Sequence, residues 1–94
     1  EETKAAALKN ATSEVTESEK ELMQEKEDVT QAEAAVAAAK IKLEKTSEAD
    51  KEDARKALKD AEETLTAENK DVIEAENRLE KAKQELVKVQ NQLK

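Results

Sequence analysis

The sequence predicts an all-α chain, a two-helix antiparallel coiled-coil hairpin whose seam sets large residues at one position against Ala at the other. Three observations lead there. Gly, Pro, Cys, His and aromatic residues are all missing from the 94 residues. Charged residues make up 44%, and 17 of the residues that bring the apolar share to 36% are Ala, which buries little area. A thick core is therefore out of reach, and the Ala, Glu, Lys, Leu and Arg content is that of a coiled coil or long helix. Finally, the bulky apolar residues recur every seven positions.

The first block of that repeat is Leu8, Val15, Leu22, Val29, Val36 and Leu43. Three residues after each comes the second seam position: Ala11, Ser18, Glu25, Ala32, Ala39 and Thr46. A seven-residue repeat held over many turns predicts a left-handed coiled coil, because it keeps one narrow stripe facing a partner. A lone surface helix would show a broader stripe of period 3.6. The expected helix runs from about residue 3 to 46.

The second block is Leu58, Leu65, Val72, Leu79, Leu86 and Leu93, accompanied at the second seam position by Ala61, Glu68, Ala75, Ala82 and Val89. It predicts a helix over about residues 53–93. The two blocks are out of phase, because Leu43 to Leu58 is one residue longer than two heptads. The stretch between, Glu44-Lys-Thr-Ser-Glu-Ala-Asp-Lys-Glu-Asp53, has no bulky apolar residue. It does carry helix-start signals, Ser47 with Asp50 three later and Asp50 with Asp53 three later. The turn is expected within residues 46–53, making residues 1–94 one coiled-coil element. One long helix with a phase stutter, pairing as a parallel homodimeric rod, is the alternative.

Heptad phase allows two antiparallel registers. One puts Glu19 near Glu76, Glu33 near Glu62, Lys40 near Arg55, Asp28 near Asp71 and Glu14 near Glu85; only Glu21 with Arg78 attracts. The other gives Lys40–Glu62, Lys26–Glu76, Glu19–Lys83 and Asp28–Arg78, with one clash, Glu21–Glu85. Exposed pairs are worth only ~0.2–1 kcal/mol each, but their balance favours the second register. Its layers are Leu43–Ala61, Ala39–Leu65, Ala32–Val72, Val29–Ala75, Leu22–Ala82, Val15–Val89 and Ala11–Leu93. Its apex falls near Glu52, whereas capping alone favours Glu48. It also sets Val36 against Glu68, Glu25 against Leu79 and Ser18 against Leu86. These carboxylates either bend out to water or specify register or a basic partner.

Function classes fall away with the missing residues. No His or Cys means no zinc site of ordinary type and no Ser-His or Cys-His nucleophile. Without Gly there is no phosphate loop. Two thin helices offer no concave, partly dry site, so an enzyme, a bound cofactor and a metal centre are not expected. A net charge of −7 without aromatics argues against nucleic acid. The longest apolar run, Ala34 to Ala39, is far short of a membrane span. The acids Glu48, Asp50, Glu52 and Asp53 lack the Gly of a calcium loop. Asn10-Ala11-Thr12 matches a glycosylation acceptor, meaningful only in a eukaryotic secretory setting. Because the chain begins at Glu1 without Met or a signal peptide, it reads as a piece of a longer protein.

Off the seam, Met23, Ile73 and Val87 share one heptad position with Thr16, Thr30, Ala37 and Thr66. In a hairpin that position lies on the same side of both helices. Scattered exposure needs no explanation. The functional reading makes Met23, Thr30, Ile73 and Val87 a docking strip for a partner protein, beside eight acids and two bases in residues 14–33.

In texture, the chain resembles the helical regions of cell-wall-attached surface proteins of Gram-positive bacteria. The phrases that carry the likeness are Lys56-Ala-Leu-Lys-Asp-Ala-Glu-Glu63 and Asn77-Arg-Leu-Glu-Lys-Ala-Lys-Gln-Glu-Leu-Val-Lys88. Surface exclusion, M-like and pneumococcal choline-binding surface families contain such helices. The resemblance implies an extracellular, cell-wall-attached stalk that contributes to adhesion, or a module that binds a host protein. Self-association is the remaining partner class.

Overall fold

A computed structural model describes residues 2–94. It is all-α, with two long helices packed against each other as a hairpin. Helix α1 spans Glu2–Lys45, a single 3-10 turn occupies Glu48–Asp50, and helix α2 spans Lys51–Gln92. The continuous rod is therefore not the fold this chain adopts.

Local chemistry explains the long helices and their break. Nothing between residues 3 and 45 interrupts the backbone ladder, since Gly and Pro are absent. The Thr residues, weak helix formers, turn their hydroxyls back into the helix. Thr12, Thr16, Thr30, Thr46, Thr64 and Thr66 each donate to the carbonyl four residues earlier. Lys42 and Lys45 sit in the last turn of α1, where the helix dipole favours cations. Glu52 and Asp53 sit in the first turn of α2, where it favours anions. Between the helices, only Thr46 and Ser47 lie outside helical turns. Ser47 is extended, with φ −65° and ψ 157°, and its carbonyl accepts the Asp50 N–H at 3.0 Å. Its hydroxyl does not cap the backbone but points to Asp50 Oδ2 at 3.3 Å. No described residue has positive φ.

The chain divides into two compact units, Glu1–Gln24 with Ile73–Lys94, and Glu25–Val72. In the first, an ion pair between Arg78 and Glu21 at 2.5 Å marks the register of the two helical segments. In the second, carboxylates of Glu25, Asp28 and Glu68 converge. Both markers belong to the register that charge counting disfavours, so the expected second register is wrong. By heptad position, the first unit then sets Leu8 against Val89, Ala11 against Leu86, Val15 against Ala82, Ser18 against Leu79 and Leu22 against Ala75. The second sets Glu25 against Val72, Val29 against Glu68, Ala32 against Leu65, Val36 against Ala61, Ala39 against Leu58 and Leu43 against Ala54.

Burial agrees with this register. The buried residues among those described are Ala11, Ala32, Val36, Ala54, Ala75, Leu79, Ala82 and Val89, all on the seam. Ala54 is the decisive one, because the rejected register leaves it beyond the last layer. Leu93, placed opposite Ala11 in that register, is instead exposed. Most of these residues are Ala for a geometric reason: in a seam one layer thick, the small residue lies at closest approach and the large one reaches over it to the rim. Leu22, Leu43, Leu58 and Leu65 are accordingly only half-buried.

Candidate functional site

The four residues proposed to bind a partner all lie on exposed helix surface. Met23 is 72% exposed, Ile73 58% and Val87 53%. Thr30 is exposed too, and its hydroxyl donates to the Lys26 carbonyl at 3.2 Å, so its proton is already engaged. Met23, Ile73 and Val87 belong to the first unit and Thr30 to the second. Val87 borders a shallow surface depression with Glu80, Lys83 and Gln84, all on one helix. None of the four lines the groove between Glu14–Glu21 and Arg78–Glu85 of the first unit.

That groove runs along the opposite side of the seam. Glu14, Glu17, Ser18 and Glu21 of α1 face Arg78, Lys81, Ala82 and Glu85 of α2 across it. Heptad spacing lines these residues up, since Glu14 and Glu21, and Arg78 and Glu85, are each seven apart. The Arg78–Glu21 pair crosses the groove with both side chains about half exposed (49% and 48%). Water screens such a pair, which stabilises by ~0.2–1 kcal/mol. The groove is shallow and open, and it holds no buried polar side chain that would orient a small ligand.

In the second unit, Glu25, Asp28 and Glu68 each bring one carboxylate oxygen within 4.8 Å of the others, and all three are half-buried. Sequence reasoning singled out Glu25 and Glu68 as seam flaws but set them against Leu79 and Val36, and set Asp28 against Arg78. Their convergence was hidden by the register. Ala54, at the seam position four residues before Leu58, was the signal that would have revealed it, because it gives Leu43 a small partner and moves the apex to Ser47–Glu48. The acids of the turn do not gather in this way. Glu48 pairs with Lys51 at 3.2 Å and Glu52 with Arg55 at 3.7 Å, each along its own chain segment.

No family model, curated protein or solved structure matches this chain. No helix among the described residues is long and apolar enough to cross a membrane.

Proposed function

We propose that this chain is a non-catalytic spacer or stalk segment of a larger bacterial surface protein, contributing to adhesion by presenting other parts of that protein. The observation that supports this most is the distribution of burial. Every buried residue described lies on a seam one layer thick, and apart from Met23, Ile41, Ile73, Val87 and Leu93 the exposed faces carry charged, polar and small side chains. Such an element holds a length and a direction, and the groove described along its seam is shallow and open, unlike the enclosed sites that hold substrates. The extracellular, cell-wall-attached location rests on the resemblance of the Ala-, Lys- and Glu-rich phrases around Lys56 and Asn77.

The exposure of Met23, Ile73 and Val87 favours a second reading, a helical module that binds a host protein. Apolar anchors on a helix face, with carboxylates setting orientation and on-rate, are what such an interface needs. One experiment separates the two. The parent chain and a variant carrying Met23→Lys with Ile73→Lys are immobilised and exposed to serum and cell-surface proteins, after melting curves show both are folded. The spacer reading predicts no specific capture by either chain. Capture by the parent that the double variant loses would replace the spacer with the binding module.

A further inference from the structure

We propose that Ser47 is a hinge through which the hairpin opens into an antiparallel, segment-exchanged dimer of two copies of this chain, and that the acids of the turn hold the chain as a monomer. The break between the helices is slight. Between α1 and α2 only Thr46 and Ser47 lie outside helical turns, no described residue needs positive φ, and the sequence contains no Gly or Pro. Ser47 is the residue with extended geometry, at ψ 157°, while Lys51 just beyond is already helical. Bringing the backbone at Thr46 and Ser47 into the helical region joins α1 to α2.

The seam survives that joining. Leu43 and Ala54, the layer nearest the turn, are eleven residues apart. Eleven residues are close to three turns at 3.6 residues per turn, so a continuous helix keeps both on one face. Two such helices side by side in opposite directions repeat every layer of the hairpin, now between copies. Leu43 meets the other copy's Ala54, and Val15 the other copy's Ala82. Exchange of identical elements between copies is a low-cost route to dimers, because it needs no new surface.

Two effects oppose it, and both reside in the turn. Between Ser47 and Asp53 the acids Glu48, Asp50, Glu52 and Asp53 outnumber the one cation, Lys51, which pairs with Glu48, while Arg55 just beyond pairs with Glu52. In the monomer these acids sit at the start of α2, where the dipole favours them. In the exchanged dimer they lie mid-helix, and the acids of both copies meet at the two-fold axis. The helix-start benefit is lost and like-charge repulsion is added. A turn without Gly or Pro is thus kept closed by charge rather than by backbone chemistry.

The test uses the full chain at several concentrations, heated and cooled to allow exchange, with mass measured in solution. The parent is expected to be monomeric. The variant Glu48→Gln, Asp50→Asn, Glu52→Gln, Asp53→Asn is expected to dimerise at least tenfold more tightly. Mixing its Val15→Cys form with its Ala82→Cys form is expected to yield the mixed disulfide. Adding Ser47→Pro, compatible with φ −65° but not with a continuous helix, is expected to restore the monomer. A neutralised variant that is folded by circular dichroism yet stays monomeric overturns the proposal. So does a dimer that gives no 15–82 cross-link, or one that Ser47→Pro leaves intact.

Discussion

Replacing Ala75 by Glu is expected to unfold a large fraction of the molecules at room temperature. Ala75 is 1% exposed, the most deeply buried residue described, and the register sets it against Leu22. A larger side chain there pushes the helices apart, which costs ~1–3 kcal/mol by overpacking alone. The carboxylate must also stay dry or bend out through the rim, which adds ~1–3 kcal/mol. A core this small rarely supplies more than ~3–5 kcal/mol in total, so the sum is comparable to the whole stability. The matching control is Ala67→Glu, an exposed position in the same helix, expected within about 0.5 kcal/mol of the parent. Urea melts followed by circular dichroism measure both. Equal midpoints for the two variants would mean that the seam does not pass through Ala75.

Leu79→Ala is expected to be the most damaging truncation of a large side chain. Leu79 is 9% exposed, and the register sets it against Ser18, a small residue that cannot move in to fill the gap. Core Leu→Ala substitutions cost ~2–5 kcal/mol, and a seam one layer thick belongs at the lower end. Leu65→Ala, half-buried against Ala32, should cost less. Ile73→Ala should cost less than about 0.5 kcal/mol, because Ile73 is 58% exposed and Ala is the better helix former. The order of the three midpoints tests the assignment. An Ile73→Ala loss as large as that of Leu79→Ala would show that the off-seam strip is covered in solution, by a second copy or a further helix.

The sequence shows clearly which residues meet but not which residue meets which. The seven-residue spacing from Leu8 to Leu43 and from Leu58 to Leu86 marks seam positions, and the buried residues described all fall on the seam. That pattern is legible because burial in a two-helix seam is imposed by periodicity alone. Register is not, because shifting one helix by a heptad restores the same pattern. Charge pairs then become the discriminator, and they are weak. Arg78–Glu21 is a cross-helix ion pair of the adopted register, and with both side chains about half exposed it is screened by water. The stronger constraint lies in the turn. A 3-10 segment beginning at Glu48 fixes the apex, and from there Ala54 falls opposite Leu43. Capping signals at Ser47 pointed to that apex, which brings Leu8 opposite Val89 and Ala54 opposite Leu43 and leaves Leu93 exposed. The exposed strip of Met23, Ile73 and Val87 was legible for the same reason as the seam, as apolar residues off the heptad stripe. The Glu25–Asp28–Glu68 convergence was not, because it depends on register.

That register is the central claim, and a pair of engineered cysteines tests it most directly, since the chain has no Cys of its own. Val15→Cys is combined in one chain with Ala82→Cys, and in a second chain with Val89→Cys. Both are oxidised at low concentration, and the share of intramolecular disulfide is measured by mass and gel mobility. One heptad along a helix is about 10 Å, whereas a disulfide needs Cα atoms within about 7 Å, so the two chains cannot both close without distortion. Efficient closure is predicted in the 15–82 chain and little in the 15–89 chain. Efficient closure of 15–89 with none of 15–82 would contradict the register.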